Sequence, residues 1–506
     1  MQKDTLIPSD KQYPAVCSCC AAMGRRDFLA TVGLAALTAR FAVMEASAAV
    51  ATQPPVTGAR PRVRAVFVRQ DVDRYWMGWP GAAYDIKGRQ ADYTRILTAA
   101  AKKLGVDLRI TSDAIAEVPK MEALLAECAQ NPPDGVIIVS MCLNTSWPII
   151  LHFLTKRPAH LPTVVFSPMG TSFLGHVQQV AAVTKGTRTF LASTPDIEWL
   201  AFGLQMLSAW WRMKTTRISV VQGQQPRDIV LDTVGTTLHY IHFSRFSDEY
   251  KKVEASADVR AMASHYTRHA KKIVEPTRAD ILNAAKTYVV CRRLMEAEGC
   301  HGIAVDCLPH VKGRTAPPPC LAFSKLNDEG VVAACQADWP AALSLRLVWL
   351  LLDRPGFMQN ICVDTTRNKL VGAHCTCPTR LAGPDQPAAP FLLRSHAESN
   401  LGVAPQVLWP VGQPVTIMKF SDPTWGRPPQ SQKTAAASVL LGTGRVVRNI
   451  DNPPSGGCRT SLEVEVDGVE DVRSLQYLHH QLFVLGNHKH RLRAYCELAG
   501  LEVKPL

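Results

Sequence analysis

The chain has 506 residues, of which 47% are hydrophobic and 20% charged, and its formal net charge is +13. These proportions are those of a globular protein, and the length is sufficient for two or three domains. The positive charge is spread thinly, without a basic block interleaved with aromatic residues, so a nucleic-acid-binding function has no support. Beyond the N-terminus no segment reaches ~18 uninterrupted apolar residues, which argues against stable insertion into a membrane.

The N-terminus predicts a twin-arginine export signal. Gly24-Arg25-Arg26-Asp27-Phe28-Leu29 leads into an apolar run that ends near Met44, and Ala46-Ser47-Ala48 follows. Charge, apolar run and small-residue cleavage site occur in the order of a secretory signal, and the paired arginines indicate the twin-arginine type. An N-terminal amphipathic helix is the alternative, but it leaves the Ala-Ser-Ala unexplained. We therefore predict a signal over residues 1–48, a linker over 49–61, and export to the periplasm or the outside of the cell.

The sequence contains 15 cysteines, three of them within the predicted signal. Most of the others stand in apolar strings such as Val289-Val290-Cys291, which predicts buried small side chains. An oxidising destination would permit disulfides, and no zinc pattern of two Cys-x-x-Cys pairs is present. Cys375 and Cys377 could bind a soft metal, but strand alternation places His374 on the opposite face from both.

From Arg62 onward, short β-rich runs alternate with helical patterns of 10–15 residues, which predicts parallel βαβ units. The predicted strands are 63–68, 107–111, 134–140, 163–167 and 217–221, and the predicted helices are 92–104, 121–129, 149–155 and 196–213. We assign residues 62–222 to an N-terminal, doubly wound αβ domain.

A second αβ domain is predicted over residues 223–385. It comprises a long helix over 278–298, a buried strand over 302–306, an apolar helix over 341–352, and strands over 357–364 and 369–375. The strand over 302–306 ends in Asp306. An acidic residue at the carboxyl end of a parallel strand often faces a ligand crevice, although it can equally cap the next turn.

Residues 386–506 are predicted to form a small antiparallel β-barrel or sandwich with a terminal helix. The segment begins with a proline-rich stretch, and short strands then follow at 414–420, 438–447, 459–466 and 482–485, with a helix at 489–501. The predicted fold class is α/β, with two doubly wound αβ domains before the β domain.

Four polar motifs stand in apolar surroundings in the C-terminal half: Gln336-Ala337-Asp338-Trp339, Phe357-Met358-Gln359-Asn360, Gly372-Ala373-His374, and His480 followed by Gln481 to Gly486. Together they resemble the L-fucose and L-arabinose isomerases. There, Glu-Gly-Asp-Trp, Phe-Met-Glu-Asp and Gly-Ala-His segments follow at nearly this spacing, and a His-Gly-(apolar)4-Gly segment carries a metal-binding histidine. In the N-terminal half the resemblance extends only to the domain order.

The resemblance implies a divalent-metal-dependent aldose–ketose isomerase of carbohydrate metabolism that acts on a monosaccharide. It implies Mn²⁺ or Mg²⁺ bound by Asp338, His374 and His480, with Gln336 and Gln359 lining the substrate. Such a cation would polarise the substrate carbonyl, and neighbouring carboxylates would move the proton between C1 and C2. Because a neighbouring subunit completes the active site in that family, the resemblance also implies a homo-oligomer with sites at its interfaces.

The sequence departs from the family pattern at its two carboxylates, because Gln336 and Gln359 replace both glutamates. Glutamine can bind a cation through its carbonyl oxygen but cannot take up a proton at neutral pH. Three interpretations stay open. Other acids (Asp338, Glu329 or Asp306) could have taken over, including in a different enzyme such as an epimerase or a hydrolase. A metal could be held more weakly, or the fold could bind a sugar without catalysis.

Several candidates also have plainly structural interpretations. Asp338 is placed to cap the helix that follows it. Glu329 stands before a glycine in a predicted turn, where solvent exposure is as good an explanation as function. His374 could be a hydrogen-bonded structural histidine, and His479 could be the ligand in place of His480.

Three further residues are predicted to bind substrate. Trp76 and Trp79 follow the first strand, at the sheet edge where αβ domains bind ligands. Their rings could stack on the CH surfaces of a sugar or anchor a subunit interface. Arg459 opens a C-terminal strand, where it could contact a ligand oxygen or an acidic structural partner.

Overall fold

The computed structural model describes residues 59–76, 83–421, 437–451, 458–476 and 478–506. Contacts divide the chain into residues 1–52 and 53–506, so that every described residue belongs to the second unit. The predicted export signal, most of the linker, Trp79 and the side chain of Trp76 lie outside the described residues.

The first sheet has five parallel strands in the order β4-β1-β5-β6-β7. The elements of this part of the chain are β1 (Arg62–Val68), β2 (Arg74–Trp76), β3 (Ala83–Asp85), α1 (Ile86–Leu104), β4 (Asp107–Ile110), α2 (Val118–Gln130), β5 (Gly135–Ser140), α3 (Ser146–Lys156), β6 (Thr163–Pro168), α4 (Leu174–Val183), β7 (Thr189–Thr194) and α5 (Glu198–Thr215). The short strands β2 and β3 form a separate hairpin.

Both faces of the first sheet are covered by helices. Phe67 and Ile137 pack into one apolar cluster with α1 and α5, whereas Val66 and Ile138 pack into another with α2 and α3. Successive strand residues point to opposite faces, so a sheet covered on both sides needs continuous apolar runs such as β5. The prediction of a parallel αβ fold is confirmed for this region.

The second sheet has the order β12-β11-β8-β10-β9 and is parallel except for β9. Its elements are β8 (Arg217–Val221), β9 (Arg227–Val230), β10 (Thr237–Ile241), α6 (Ser244–Lys252), α7 (Ala257–His269), α8 (Arg278–Ala297), β11 (Gly302–Val305), α9 (Leu308–Lys312), α10 (Cys320–Asp328), β12 (Val332–Cys335) and α11 (Trp339–Leu352). Strand β8 lies within residues 62–222, which were predicted to form the first domain, but it pairs with β10 and β11 of this second sheet.

The third sheet closes into a six-stranded antiparallel barrel in the order β17-β20-β13-β14-β19-β18, and β17 pairs with β18 to complete it. Its part of the chain contains β13 (Phe357–Asp364), β14 (Lys369–His374), β15 (Phe391–Arg394), β16 (Ala404–Val407), β17 (Pro414–Ser421), β18 (Ser438–Asn449), β19 (Thr460–Val466), a 3-10 turn (Val472–Ser474), β20 (Gln481–Leu485), α12 (Lys489–Ala499) and β21 (Glu502–Pro505). Strands β13 and β14 precede residue 386, yet they are barrel strands.

Helix α11 joins the second sheet to the barrel. It packs against β11 and β12 of the second sheet and against β17 and β20 of the barrel. Its apolar side chains, including Leu343, Leu347 and Leu351, are buried. Because α11 contacts both of them, the carboxyl edge of the second sheet faces the barrel, and the predicted motifs meet there.

Helix α11 has 14 residues. None of the helices in the described ranges is both long and apolar enough to span a membrane.

Candidate functional site

A strained turn connects β12 to α11 and carries the first motif. Gln336 and Ala337 have φ values of 53° and 52°, in the left-handed region. Such backbone costs about 1–3 kcal/mol for each non-glycine residue. Asp338 then caps α11, because its Oδ1 accepts a hydrogen bond of 2.8 Å from the backbone N–H of Ala341. The expected capping role of Asp338 is therefore present.

The same carboxylate is clamped by a lysine from the barrel. Lys419 of β17 places its Nζ 2.8 Å from both Oδ1 and Oδ2 of Asp338. The two side chains are 4% and 0% exposed, so the ion pair lies in the protein interior. Lys419 was not among the residues predicted from the sequence. The signal was a single lysine inside the apolar run of β17, because a lysine is almost never fully buried without a partner.

Two consecutive histidines complete the group. His480 Nδ1 lies 2.9 Å from Asp338 Oδ2, and His480 itself adopts a left-handed φ of 50°. His479 Nε2 lies 3.0 Å from Gln336 Oε1. We call Asp338, Lys419, His479 and His480 the Asp338 cluster.

The charges in the Asp338 cluster are set by burial and by mutual attraction. Burial alone would raise the pKa of Asp338, but the charge of Lys419 and the hydrogen bond from His480 hold it below its ordinary value. Burial lowers the pKa of Lys419 and of His480, and Asp338 opposes both shifts. Burial, with the neighbouring His480, lowers the pKa of His479 to about 4. At neutral pH the cluster is thus a carboxylate–ammonium pair beside neutral imidazoles.

An ionised carboxylate only accepts hydrogen bonds, so the Nδ1 of His480 carries the proton and its Nε2 presents a lone pair. That Nε2 is buried without a hydrogen-bond partner among the described residues. The His374 ring lies 5.0 Å from the His480 ring, and its Nδ1 is 3.0 Å from the Thr376 hydroxyl. Burial lowers the pKa of His374 to about 3. Asp338, His374 and His480, far apart in sequence, therefore lie close together.

The residues present do not fit a divalent cation in this group. Asp338, His479 and His480 offer ligand atoms that lie within 4.8 Å of one another. However, the Lys419 ammonium already binds both oxygens of the only carboxylate in that set. A divalent ion there would meet a buried positive charge within a few ångströms, and like charges repel strongly in such surroundings.

Gln359 lies on β13, within the barrel sheet. It pairs with Gln481 across β13 and β20 and is completely buried. Neither its Oε1 nor its Nε2 has a hydrogen-bond partner among the described residues, so no hydrogen bond links it to the cluster. The side chain lies over Gly372, where an added Cβ would stand 2.8 Å from Gln359 Oε1. The Gly-Ala-His motif begins with glycine because that space is filled.

Asp306 lines an open cleft of about 790 Å³ at the carboxyl end of β11. Other polar side chains around this cleft include His396, Glu398 and Lys312, and Leu308 and Leu401 add apolar surface. The sequence left two roles open for Asp306, facing a ligand crevice or capping the next turn, and in the structure Asp306 lines this cleft. His396 and Glu398 were not predicted, because they stand in an irregular segment between β15 and β16.

Glu329 and Arg459 make structural contacts away from the Asp338 cluster. Glu329 accepts a hydrogen bond of 2.8 Å from the Tyr288 hydroxyl and pairs with Lys325 one helical turn earlier. Arg459 donates to the backbone oxygen of Ser395 at 2.7 Å and lies 3.7 Å from a Glu275 oxygen. Arg459 therefore has the acidic structural partner that was one of its two expected roles.

Comparisons with known proteins place the chain in no family. No family model matches it, and no curated protein matches it. Among solved structures, a carbohydrate transporter from Acidothermus cellulolyticus 11B in complex with myo-inositol covers 58% of this chain with 88% of its own length, at 9% identity and a TM-score of 0.19. GanP, a glucose-galactose binding protein from Geobacillus stearothermophilus, covers 58% with 91% of its length, at 14% identity and a TM-score of 0.17.

Proposed function

We propose that this protein binds a monosaccharide or related polyol without isomerising it through a metal. The observation that carries the proposal is the position of Lys419, whose ammonium lies 2.8 Å from both oxygens of Asp338. The resemblance to the isomerases implies that Asp338 is a metal ligand. In this structure the ammonium of Lys419 binds that carboxylate instead.

The replaced carboxylates support the same conclusion. The resemblance to the isomerases places Gln336 and Gln359 where those enzymes have their two glutamates. Amides donate and accept hydrogen bonds but do not exchange protons at neutral pH. Asp338 does not compensate for them, since two Lys419 contacts, one cap contact and one histidine hold it as an anion. An ionised group so held is a poor proton carrier.

The ligand site in this proposal is the cleft at the carboxyl end of β11. Open αβ sheets bind ligands at the carboxyl ends of their strands. Asp306 and Glu398 supply carboxylates that accept hydrogen bonds from sugar hydroxyls, Lys312 supplies a donor, and Leu308 adds apolar surface for a sugar ring. A cleft of about 790 Å³ is large enough for a monosaccharide with its water.

Isothermal titration with L-fucose, D-arabinose and L-arabinose tests this binding. We expect at least one of these sugars to bind at millimolar concentration or below. Asp306→Asn and Glu398→Gln preserve side-chain shape and should each weaken binding about tenfold, as expected when a charged hydrogen bond worth ~1.5 kcal/mol is lost. The matched control is Glu122→Gln on the exposed surface of α2, which should bind like the parent. The absence of binding by all three sugars would reject the proposal.

A second candidate function is proton transfer without a metal. It is favoured by the Asp338–His480 pair, in which the carboxylate orients an imidazole whose Nε2 lone pair is unpaired among the described residues. This arrangement is that of an oriented general base. Proton exchange at C2 of the same sugars, followed by NMR in D₂O with a chelator present, separates the two functions. The binding proposal expects no exchange, whereas exchange lost in His480→Gln would establish the second candidate.

A further inference from the structure

Cys307 and Cys335 lie side by side at the carboxyl edge of the second sheet. Cys335 is the last residue of β12, and it stands opposite Val305 in the parallel pairing of β11 with β12. Cys307 follows shortly after Val305, just beyond the end of β11. The two Sγ atoms lie 3.3 Å apart, and both cysteines are free thiols. The fold therefore brings together two sulfur atoms that are 28 positions apart in the sequence.

The separation of these two sulfur atoms is close to that of a disulfide. An S–S bond is about 2.05 Å long, so the Sγ atoms need to approach each other by only about 1.25 Å. Neighbouring strands lie about 4.8 Å apart, within the range of about 4.4–6.8 Å that the Cα atoms of a disulfide span. Small rotations of the two side chains are therefore sufficient to form the bond, without rearrangement of β11 and β12.

Other cysteines of the second sheet and the barrel make different contacts. Cys320 and Cys375 belong to a small apolar cluster of their own, and Cys458 packs against it, whereas the pair belongs to the main core. Cys377, from the Cys-x-Cys spacing of the sequence, accepts a hydrogen bond from the ring nitrogen of Trp409. These residues are the thiols that would compete with the pair if the protein were oxidised.

Cys307 is the better nucleophile of the pair. The hydrogen bond from Cys335 lowers the pKa of Cys307, and the backbone N–H of Gln336 adds to this effect, while burial opposes it. The thiolate is the reactive form of cysteine. Cys307 stands between Asp306 and Leu308, which both line the open cleft. Because Cys307 is only 3% exposed, the oxidant that reaches it from the cleft must be small.

We propose that Cys307 and Cys335 are a redox modification site, at which hydrogen peroxide converts the two thiols into a reversible disulfide. The Cys307 thiolate attacks one oxygen of the peroxide, the O–O bond breaks, and hydroxide leaves, so that Cys307 becomes a sulfenic acid. The sulfur of Cys335 then attacks the sulfur of Cys307. The S–O bond breaks, and the departing hydroxide takes the proton of Cys335 to form water. The two sulfur atoms together lose two electrons to the peroxide, and a dithiol reverses the reaction by thiol–disulfide exchange.

The disulfide would crosslink the two segments that carry the cleft and the Asp338 cluster. Asp306, directly before Cys307, lines the cleft, and Gln336, directly after Cys335, begins the strained turn that leads to Asp338. A crosslink between positions 28 residues apart also restricts the unfolded chain, which stabilises the folded state. The predicted export would carry the folded pair into an oxidising compartment, where disulfides persist.

Peptide mass spectrometry of the full-length, unmodified chain tests the site without any substitution. The reduced protein is treated with hydrogen peroxide, its remaining thiols are alkylated, and it is digested without reductant. We expect Cys307 and Cys335 in one crosslinked peptide pair that is lighter by two hydrogen atoms than the two thiol peptides together, and a dithiol should abolish this pair. No disulfide at these residues, or a disulfide among Cys320, Cys375 and Cys458 while the pair stays reduced, would overturn the proposal.

Two variants and a melting curve test the order of the steps and the effect of the crosslink. Cys335→Ala should gain oxygen at Cys307, because the sulfenic acid has no thiol to attack it. The oxidised parent should melt about 5 °C above the reduced parent, and Cys335→Ala should show no such gain. The control Cys291→Ala, which removes a buried thiol outside the pair, should keep the full gain. Equal melting temperatures of the oxidised and reduced parent would overturn the stabilising role of the crosslink.

Discussion

Replacing Lys419 by methionine removes the ammonium but preserves most of the side-chain volume, and it leaves the Asp338 carboxylate buried without its counter-ion. Removing one partner of a buried ion pair costs about 3–5 kcal/mol. Asp338 keeps two donors, the Ala341 amide at 2.8 Å and His480 Nδ1 at 2.9 Å. We therefore expect a loss near the lower limit, about 3 kcal/mol in the free energy of unfolding.

The assay is urea unfolding followed by tryptophan fluorescence at neutral pH. The matched control is Lys369→Met, because Lys369 forms an ion pair of 2.7 Å with Glu465 on the barrel surface. Exposed pairs contribute about 0–1 kcal/mol, so this control should unfold almost like the parent. If Lys419→Met costs no more than Lys369→Met, the Lys419 ammonium does not hold Asp338 as described.

The same variant tests why a divalent metal does not fit. Without the ammonium, Asp338, His479 and His480 present ligand atoms within 4.8 Å of one another. Zn²⁺ or Mn²⁺ at a hundredfold excess over its dissociation constant would then stabilise the Lys419→Met variant by about 2.7 kcal/mol. Equal stabilisation of the parent and the variant by the same ion would contradict the view that Lys419 takes the place of a metal.

Other predictions concern packing and pH. Gly372→Ala should lower the free energy of unfolding by about 1–3 kcal/mol, because the added Cβ would lie 2.4 Å from a Phe483 ring carbon. The control, Gly175→Ala on the exposed helix α4, should raise it by up to ~1 kcal/mol. Similar melting temperatures for the two variants would contradict this prediction. Gln359→Leu should stabilise by roughly 1–3 kcal/mol, since it removes a buried amide that is unpaired among the described residues, and calorimetry should show unchanged sugar binding. Burial lowers the pKa of His301 to about 4. Between the ordinary histidine pKa of about 6.5 and pH 4, this side chain is therefore protonated in the unfolded chain but not in the folded one. The free energy of unfolding should fall by up to ~1.4 kcal/mol per pH unit as the pH decreases through this range. Melting curves of His301→Gln should show a flatter decline over that range, and an unchanged decline would refute the assignment.

The role of Asp338 depends on one residue of the barrel, Lys419. The segment from Gln336 to Trp339 resembles a metal-isomerase motif, and it forms a strained turn and a helix cap at the edge of a parallel sheet. Whether Asp338 is available to a cation depends on Lys419, 81 residues away. Interactions between residues so far apart in sequence depend on how the chain packs, and no local sequence pattern predicts them.

The sequence by itself determined the local elements, because periodicity and capping act over a few residues. The alternation of apolar runs and amphipathic helices predicted six of the parallel strands (β1, β4, β5, β6, β8 and β11) and helix α11. Asp338 was placed as the cap of that helix. The sequence also placed Asp306 at the carboxyl end of a strand, where the structure has a cleft. Helix α4 and strand β7 were not predicted, since their apolar patterns are short and broken.

Only the tertiary structure decided which distant residues meet. The closure of the barrel through β17 and β18 brings Lys419 to Asp338. Gln359, whose motif was grouped with that of Asp338, makes no hydrogen bond to the cluster. The physical reason is that burial and charge pairing are properties of neighbours in space. The sequence supplied the charged and polar side chains, and the packing of α11 between the second sheet and the barrel determined which of them meet.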